Sequence, residues 1–167
     1  MIPGRPKRLR AFPYVGAYRY FLTLCTFRRT QVFVTNDRVA LVLEQIQRAA
    51  ATHEFAILAY CFMPDHLHLL VEGQSESSGL RTFARLAKQY SGYHYRRRFG
   101  APLWQSNLYE HVARNDERTD AIVRYIVENP VRAHLVRRVR DYPFVGSCVV
   151  GRAELLASLA DPDHGPT

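Results

Sequence analysis

A chain of 167 residues, 47% of them hydrophobic and 12% aromatic, has a globular composition and the length to build one domain with a proper core. Its net charge of +8 and pI of about 9.8 favour a polyanionic partner. Three scattered cysteines, Cys25, Cys61 and Cys148, form no CxxC pair and exclude a disulfide frame or zinc site, while no apolar stretch approaches a membrane span, so the chain is expected to be cytoplasmic.

The cations are 21 arginines against two lysines, Lys7 and Lys88. Guanidinium forks grip phosphate and stack on bases. A GC-rich genome accounts for the skew equally well. Residues 1–13 carry Arg5, Lys7, Arg8 and Arg10 among three prolines and read as a flexible basic arm, suited to a phosphate backbone or simply solvated.

Residues 17–29, rich in aromatic and β-branched side chains, predict a first strand. Thr35-Asn36-Asp37 is an N-cap cluster, and Val39, Val42, Leu43, Ile46 and Ala50 then keep helical spacing over 36–53. Residues 55–63 and 66–73 are two apolar runs that meet at Pro64-Asp65, the pattern of a hairpin. A polar loop from Gly73 to Gly79 leads to a second helix over 80–98. Its buried stripe is Leu80, Phe83, Leu86, Ala87 and Tyr90, with Arg81, Arg85 and Lys88 on another stripe, as phosphate contacts or as a solvated face.

Residues 103–114 alternate and predict a fourth strand, and residues 117–129 a helix stopped by Pro130. Residues 131–151 read as short turns packing back onto the domain, and 152–167 as a short helix and disordered tail. The domain is expected over 14–151. The order β-α-β-β-α-β with an added helix is the split β-α-β, ferredoxin-like arrangement: an α+β fold with an antiparallel sheet, two helices on one face, and the other face open to a ligand.

The chemistry starts at His66-Leu67-His68. Side chains alternate along a strand, so both imidazoles share one face while Leu67, Leu69 and Val71 take the other. Two neutral imidazoles supply two corners of a cation's shell. In the helix over 117–129, Tyr125 and Asn129 are four apart and so neighbours on one face, with Ile122, Val123 and Ile126 for packing. They are candidates for a nucleophile and a third ligand. Taken alone, Tyr125 is one of ten tyrosines and reads more simply as a half-buried aromatic.

Together these pieces resemble a family. The FMPDHLHLLVEG stretch, Trp104-Gln105, Tyr109-Glu110-His111-Val112-Ala113-Arg114 and YIVENPVRAHLV are similar to the single-tyrosine HUH transposases, above all the REP-associated tyrosine transposases, relatives of the insertion-sequence-200 type. The resemblance covers residues 14–146. It implies the same ferredoxin-like sheet, with the tyrosine helix added. It also implies that His66 and His68 hold a divalent metal, Mg2+ or Mn2+, and that Tyr125 is the nucleophile. Asn129 stands where insertion-sequence relatives place a metal-binding glutamine, one methylene longer.

The implied reaction is cleavage and rejoining of single-stranded DNA hairpins through a covalent 5′-phosphotyrosine. A phenol, with a pKa near 10, needs a base or cation beside it to attack at neutral pH. Phosphate contacts are expected from Arg81, Arg85, Lys88 and Arg114, and the chain as a monomer or a homodimer with no membrane contact. Tyr109 is the alternative nucleophile. A non-catalytic nucleic-acid-binding module on the same sheet is the alternative function, and a replication initiator or relaxase fits less well because those chains carry a further domain.

Overall fold

In the computed structural model, which describes residues 12–113 and 119–159, the hairpin forms where the two apolar runs meet. Strand β2 (Phe55–Met63) turns at Pro64-Asp65 into β3 (His66–Gly73), with Met63 paired to His66. Most of the basic arm, including Arg5, Lys7, Arg8 and Arg10, lies outside the described residues, as do Arg114, the tail beyond 159 and the side chain of Tyr109.

Strand β1 (Arg19–Thr26) lies antiparallel between β3 and β4 (Trp104–Ala113). A two-residue strand, β5 (Val145–Gly146), adds to the far edge of β2, giving the order β4-β1-β3-β2-β5. The first four strands follow the ferredoxin-like order expected from the sequence. The segment after Pro130 thus contributes a fifth strand where only turns were expected.

One sheet face is covered by α1 (Asn36–Thr52) and α2 (Leu80–Phe99). Leu67, Leu69 and Val71 of β3 join Tyr20, Leu22, Leu24, Val42, Ile46 and Phe83 in that core, as the strand alternation predicts. Gly100, left-handed at φ +72°, ends α2 by donating its N–H to the Arg96 carbonyl. The first strand is shorter than the expected 17–29, because Phe27–Arg29 coil into a 3-10 turn.

The opposite face is not left open. Helix α3 (Thr119–Val127) and α5 (Arg152–Ala157), with the short α4 (Asn129–Arg132) following α3 in the chain, cover it through a second core built on Ala59, Cys61, Met63, Leu70, Ile126, Val127, Val145 and Leu155. Strand β2 serves both cores through a register shift between Ile57 and Ala59. Phe55 and Ile57 face α1 and α2, but beyond the shift Ala59, Cys61 and Met63 face α3, and Phe62 turns back to the first core. A one-residue slip swaps faces in this way.

The expected helix over 117–129 ends two residues early, at Val127. Pro130 does not stop it directly. Proline is accommodated in the first turn of α4, and the break falls just before, at Glu128. Asn129 therefore opens α4 and is not in the last turn of α3. The Tyr142 hydroxyl donates to the Phe62 carbonyl at 2.7 Å and ties the C-terminal segment to β2.

A Cβ on Gly73 would run into the Gly16 carbonyl and the Ser78 side chain. Gly73→Ala is expected to lower the unfolding free energy by about 1–3 kcal/mol, the usual cost of overpacking, read as a lower urea midpoint at unchanged slope.

Candidate active site

The face of β3 opposite the α1–α2 core carries His66, His68 and Leu70. Across the ladders, His68 lies beside Thr23 of β1 and Cys61 of β2, and His66 beside Cys25 and Met63. The two Nε2 atoms stand 3.2 Å apart. Both rings are held from behind. His66 Nδ1–H donates to Asp65 Oδ1 at 2.6 Å, and His68 Nδ1 meets the Thr23 hydroxyl at 3.0 Å. A hydroxyl both donates and accepts, so Thr23 can serve either tautomer of His68.

Burial keeps both rings neutral. It pulls the His66 pKa below its ordinary value against the opposing pull of Asp65. His68 is pulled down to about 3, by burial first and then by the charges of His66, Arg132 and Arg29. Burial also raises the neighbouring Cys61 thiol to about 12, so it stays protonated.

Asp65 is itself fixed. Its carbonyl accepts from the Thr26 N–H and hydroxyl, and the adjacent Pro64 carbonyl accepts from Val32 and Phe33. Arg29 Nε sits 2.9 Å from Asp65 Oδ2, and Arg29 Nη1 contacts Cys25 Sγ at 2.8 Å. Arg28 and Arg29 both have positive φ, 53° and 57°. That backbone costs about 1 kcal/mol or more per residue and turns Arg29 back over the His66 carboxylate partner.

Tyr125 comes to this pair on α3. Its ring meets His68 edge-on at 6.2 Å between centroids and Phe21 at 5.9 Å. The start of α3 is anchored where Arg19, paired with Glu72, donates to the Thr119 hydroxyl at 2.7 Å. Its end is closed by two donors to the Tyr125 carbonyl: Asn129 Nδ2 at 3.0 Å and the Arg132 guanidinium. The Arg132 Cζ also lies 4.2 Å from the Tyr125 ring centroid, and Arg132 pairs with Glu128 at 3.6 Å.

The structure thus brings His66, His68 and Tyr125 together, with Asn129 in the segment that fixes Tyr125. The α2 cations lie outside this cluster, each with its own partner. Arg81 lies over the Tyr14 ring, Lys88 is bonded to the Gln105 and Ser106 carbonyls, and Arg85 reaches Gln89. Thr23, Arg29, Asp65 and Arg132 are site residues that the sequence did not single out. Only Asp65, in the turn next to His66, left a local signal.

The donor set suits a cation. At metal–nitrogen distances of about 2.1 Å, two ligands lie about 3.0 Å apart at a right angle and about 3.4 Å apart at the tetrahedral angle. The 3.2 Å between the Nε2 atoms falls between these values. Among the described residues no group of three or more His, Cys, Asp or Glu could hold a metal, so further ligands would be oxygens of amide, water or substrate.

The profile of the family described as "Transposase IS200 like" matches residues 14–129. A REP-associated tyrosine transposase of Escherichia coli K12 is 27% identical over 81% of this chain and 79% of its own. A Haemophilus influenzae protein assigned as a REP-associated tyrosine transposase is 25% identical over 75% of this chain and 77% of its own. The fold is similar to that of a REP-associated tyrosine transposase solved bound to a REP hairpin, with a TM-score of 0.69, 24% identity, and coverage of 84% of this chain and 82% of that one. Among the described residues no helix is long and apolar enough to cross a membrane.

His68 gives the apo protein a pH signature. With a folded pKa of about 3 against about 6.5 unfolded, the unfolded chain binds more protons between those values. Stability is therefore intact above pH 6.5 and lost as pH falls toward 3, by about 2 kcal/mol between pH 7 and pH 5. Urea midpoints measured in chelator should fall over that window in the wild type and much less in His68→Gln.

Proposed function

The chain belongs to the IS200-like transposase family, and from that premise we propose that it cuts and rejoins single-stranded DNA, storing the cut phosphodiester on Tyr125. The observation that carries this reading is the convergence of one strand and one helix: neutral His66 and His68 of β3 with Nε2 atoms 3.2 Å apart, and the Tyr125 ring of α3 at the edge of His68.

In the proposed reaction the Tyr125 phenol oxygen attacks the scissile phosphorus. The phenol gives up its proton as the P–Oη bond forms, the P–O3′ bond breaks, and the leaving 3′-oxygen takes up a proton to become a 3′-OH, so that no net proton is consumed. The 5′-phosphate remains on Tyr125. Because the new ester is a phosphodiester like the old one, attack by another 3′-OH reverses the chemistry without ATP. A divalent cation held by His66 and His68, Mg2+ or Mn2+, would supply polarisation of a non-bridging phosphate oxygen. The two-nitrogen donor set favours Mn2+ over Mg2+, which prefers oxygen.

The residues around the pair have roles of their own. Asp65, held by Arg29, fixes the His66 tautomer with its Nε2 lone pair outward. Arg132, against the Tyr125 ring, is the cation nearest the nucleophile and is suited to the charge that gathers on the transferred phosphate. The substrates proposed are single-stranded hairpins, by analogy with the REP hairpin bound to the solved relative.

Wild-type protein incubated with Mn2+ and hairpins drawn from its own genome should give a denaturation-resistant protein–DNA adduct, absent in Tyr125→Phe. No adduct from any hairpin, or an adduct that survives Tyr125→Phe, would overturn the reading. Thr23→Val, which keeps shape but loses the hydroxyl behind His68, should weaken Mn2+ binding about tenfold in calorimetry, and His66→Ala should abolish the site.

A further inference from the structure

A second basic surface lies outside the site just described. A groove of 480 Å3 runs between α2 and the start of β4, lined by Arg85, Lys88, Tyr93, Arg96, Trp104 and Gln105 among others. It belongs to the sheet's other side, because α2 packs on the face opposite the histidines. Three of the lining residues are cations, and no carboxylate is among the described residues that line it.

The groove has an aromatic floor and a fixed wall. The Tyr93 side chain is an exposed ring, 58% accessible, with Arg97 at 5.6 Å from its centroid. Trp104 is locked by its indole N–H, which donates to the Ser91 hydroxyl at 2.9 Å. Lys88 Nζ donates to the carbonyls of Gln105 and Ser106 at 2.7 and 3.0 Å, leaving one of its three donors for a ligand. Arg85 and Arg96 are exposed.

Cations with an exposed ring between them form the pattern of a single-strand site, in which phosphates meet the charges and an unpaired base stacks. Bases in a duplex are already stacked and cannot use Tyr93. The register ties the groove to the active site. Trp104 is the partner of Thr26, and Thr26 donates to the Asp65 carbonyl beside His66. Two strand spacings, roughly 10 Å, separate the backbones of Trp104 and Asp65 along that end of the sheet, with the groove and the histidines on its opposite faces.

We propose that the α2–β4 groove binds unpaired nucleotides that flank the scissile phosphate, stacking a base on Tyr93 and holding adjacent phosphates with Arg85, Lys88 and Arg96. This rests on the reading of the chain as an enzyme of single-stranded DNA. The groove is a binding surface and takes no part in bond making.

The test is fluorescence anisotropy with a labelled oligothymidylate and a duplex of equal length, on wild-type, Tyr93→Ala and Arg85→Ala/Arg96→Ala proteins. Tyr93→Ala should weaken oligothymidylate binding on the order of tenfold and leave the duplex unchanged. The double variant should flatten the salt dependence of single-strand binding by roughly 1.4 in log–log slope. Unchanged oligothymidylate affinity in Tyr93→Ala, or equal losses on single strand and duplex, would overturn the proposal. Adduct formation by the wild type is scored separately. Its absence counts against catalysis, whereas the Tyr93 dependence alone decides the groove.

Discussion

The site depends on a constraint that acts on one strand. β3 lies in the middle of the sheet, and its odd-numbered residues Leu67, Leu69 and Val71 are committed to the core beneath α1 and α2. Period two then leaves His66 and His68 no choice but to share the other face. Two imidazoles so placed bring their Nε2 atoms to 3.2 Å. With the His66 Nε2 lone pair facing it, neutral His68 can fill that gap with its own Nε2–H while its Nδ1 accepts from the Thr23 hydroxyl. Burial first, and then the charges of His66, Arg132 and Arg29, make a further proton costly, which pulls the His68 pKa down to about 3. Under the proposed function, a divalent cation would bring coordination bonds that a further proton does not.

Tyr125 is delivered to the histidines by packing rather than by local sequence. Ile126 and Val127 bury in the second core against Ala59, Cys61 and Met63, and this seats α3 over β2 and β3. The register shift in β2 makes that possible. Without it, Ala59 and Cys61 would face α1 and α2, and the face beside His68 would lack the small, apolar surface on which α3 rests. Arg19 then holds the start of the helix, and Asn129 and Arg132 hold its end. Tyr125 is thereby fixed in position from both directions along its helix.

How much of this could be read in advance follows the range of the interactions. The hairpin, its Pro64-Asp65 turn, the histidine face and the bounds of α1, β2 and β3 were legible because each is set by residues within a few positions. The β-α-β-β-α-β order was legible for the same reason. The shift at Ile57 was not, since Phe55–Met63 is apolar on both faces and shows no alternation to break. β5 escaped because two residues carry no period. Thr23, Arg29 and Arg132 escaped because their roles exist only across strands or between helices. The neighbours of the α2 cations were not legible either: helical spacing aligned Arg81, Arg85 and Lys88, whereas the ring of Tyr14 beside Arg81 and the β4 carbonyls beside Lys88 are set by the tertiary fold.

Asn129 shows how a single helix break redistributes roles. Pro130 disfavours helical backbone in the residue before it and has no N–H to give, so the turn carrying Tyr125 ends with carbonyls in need of donors. Asn129, opening the next short helix, spends its amide nitrogen on the Tyr125 and Ile126 carbonyls, and Arg132 adds a second donor to Tyr125. Those bonds fix the plane of the amide and with it the direction of Oδ1. With asparagine the amide nitrogen is committed to the helix end, and the arginine stacked on the Tyr125 ring carries part of the load that holds Tyr125. The identity of residue 129 and the presence of Arg132 are therefore parts of one solution to the same break in the chain.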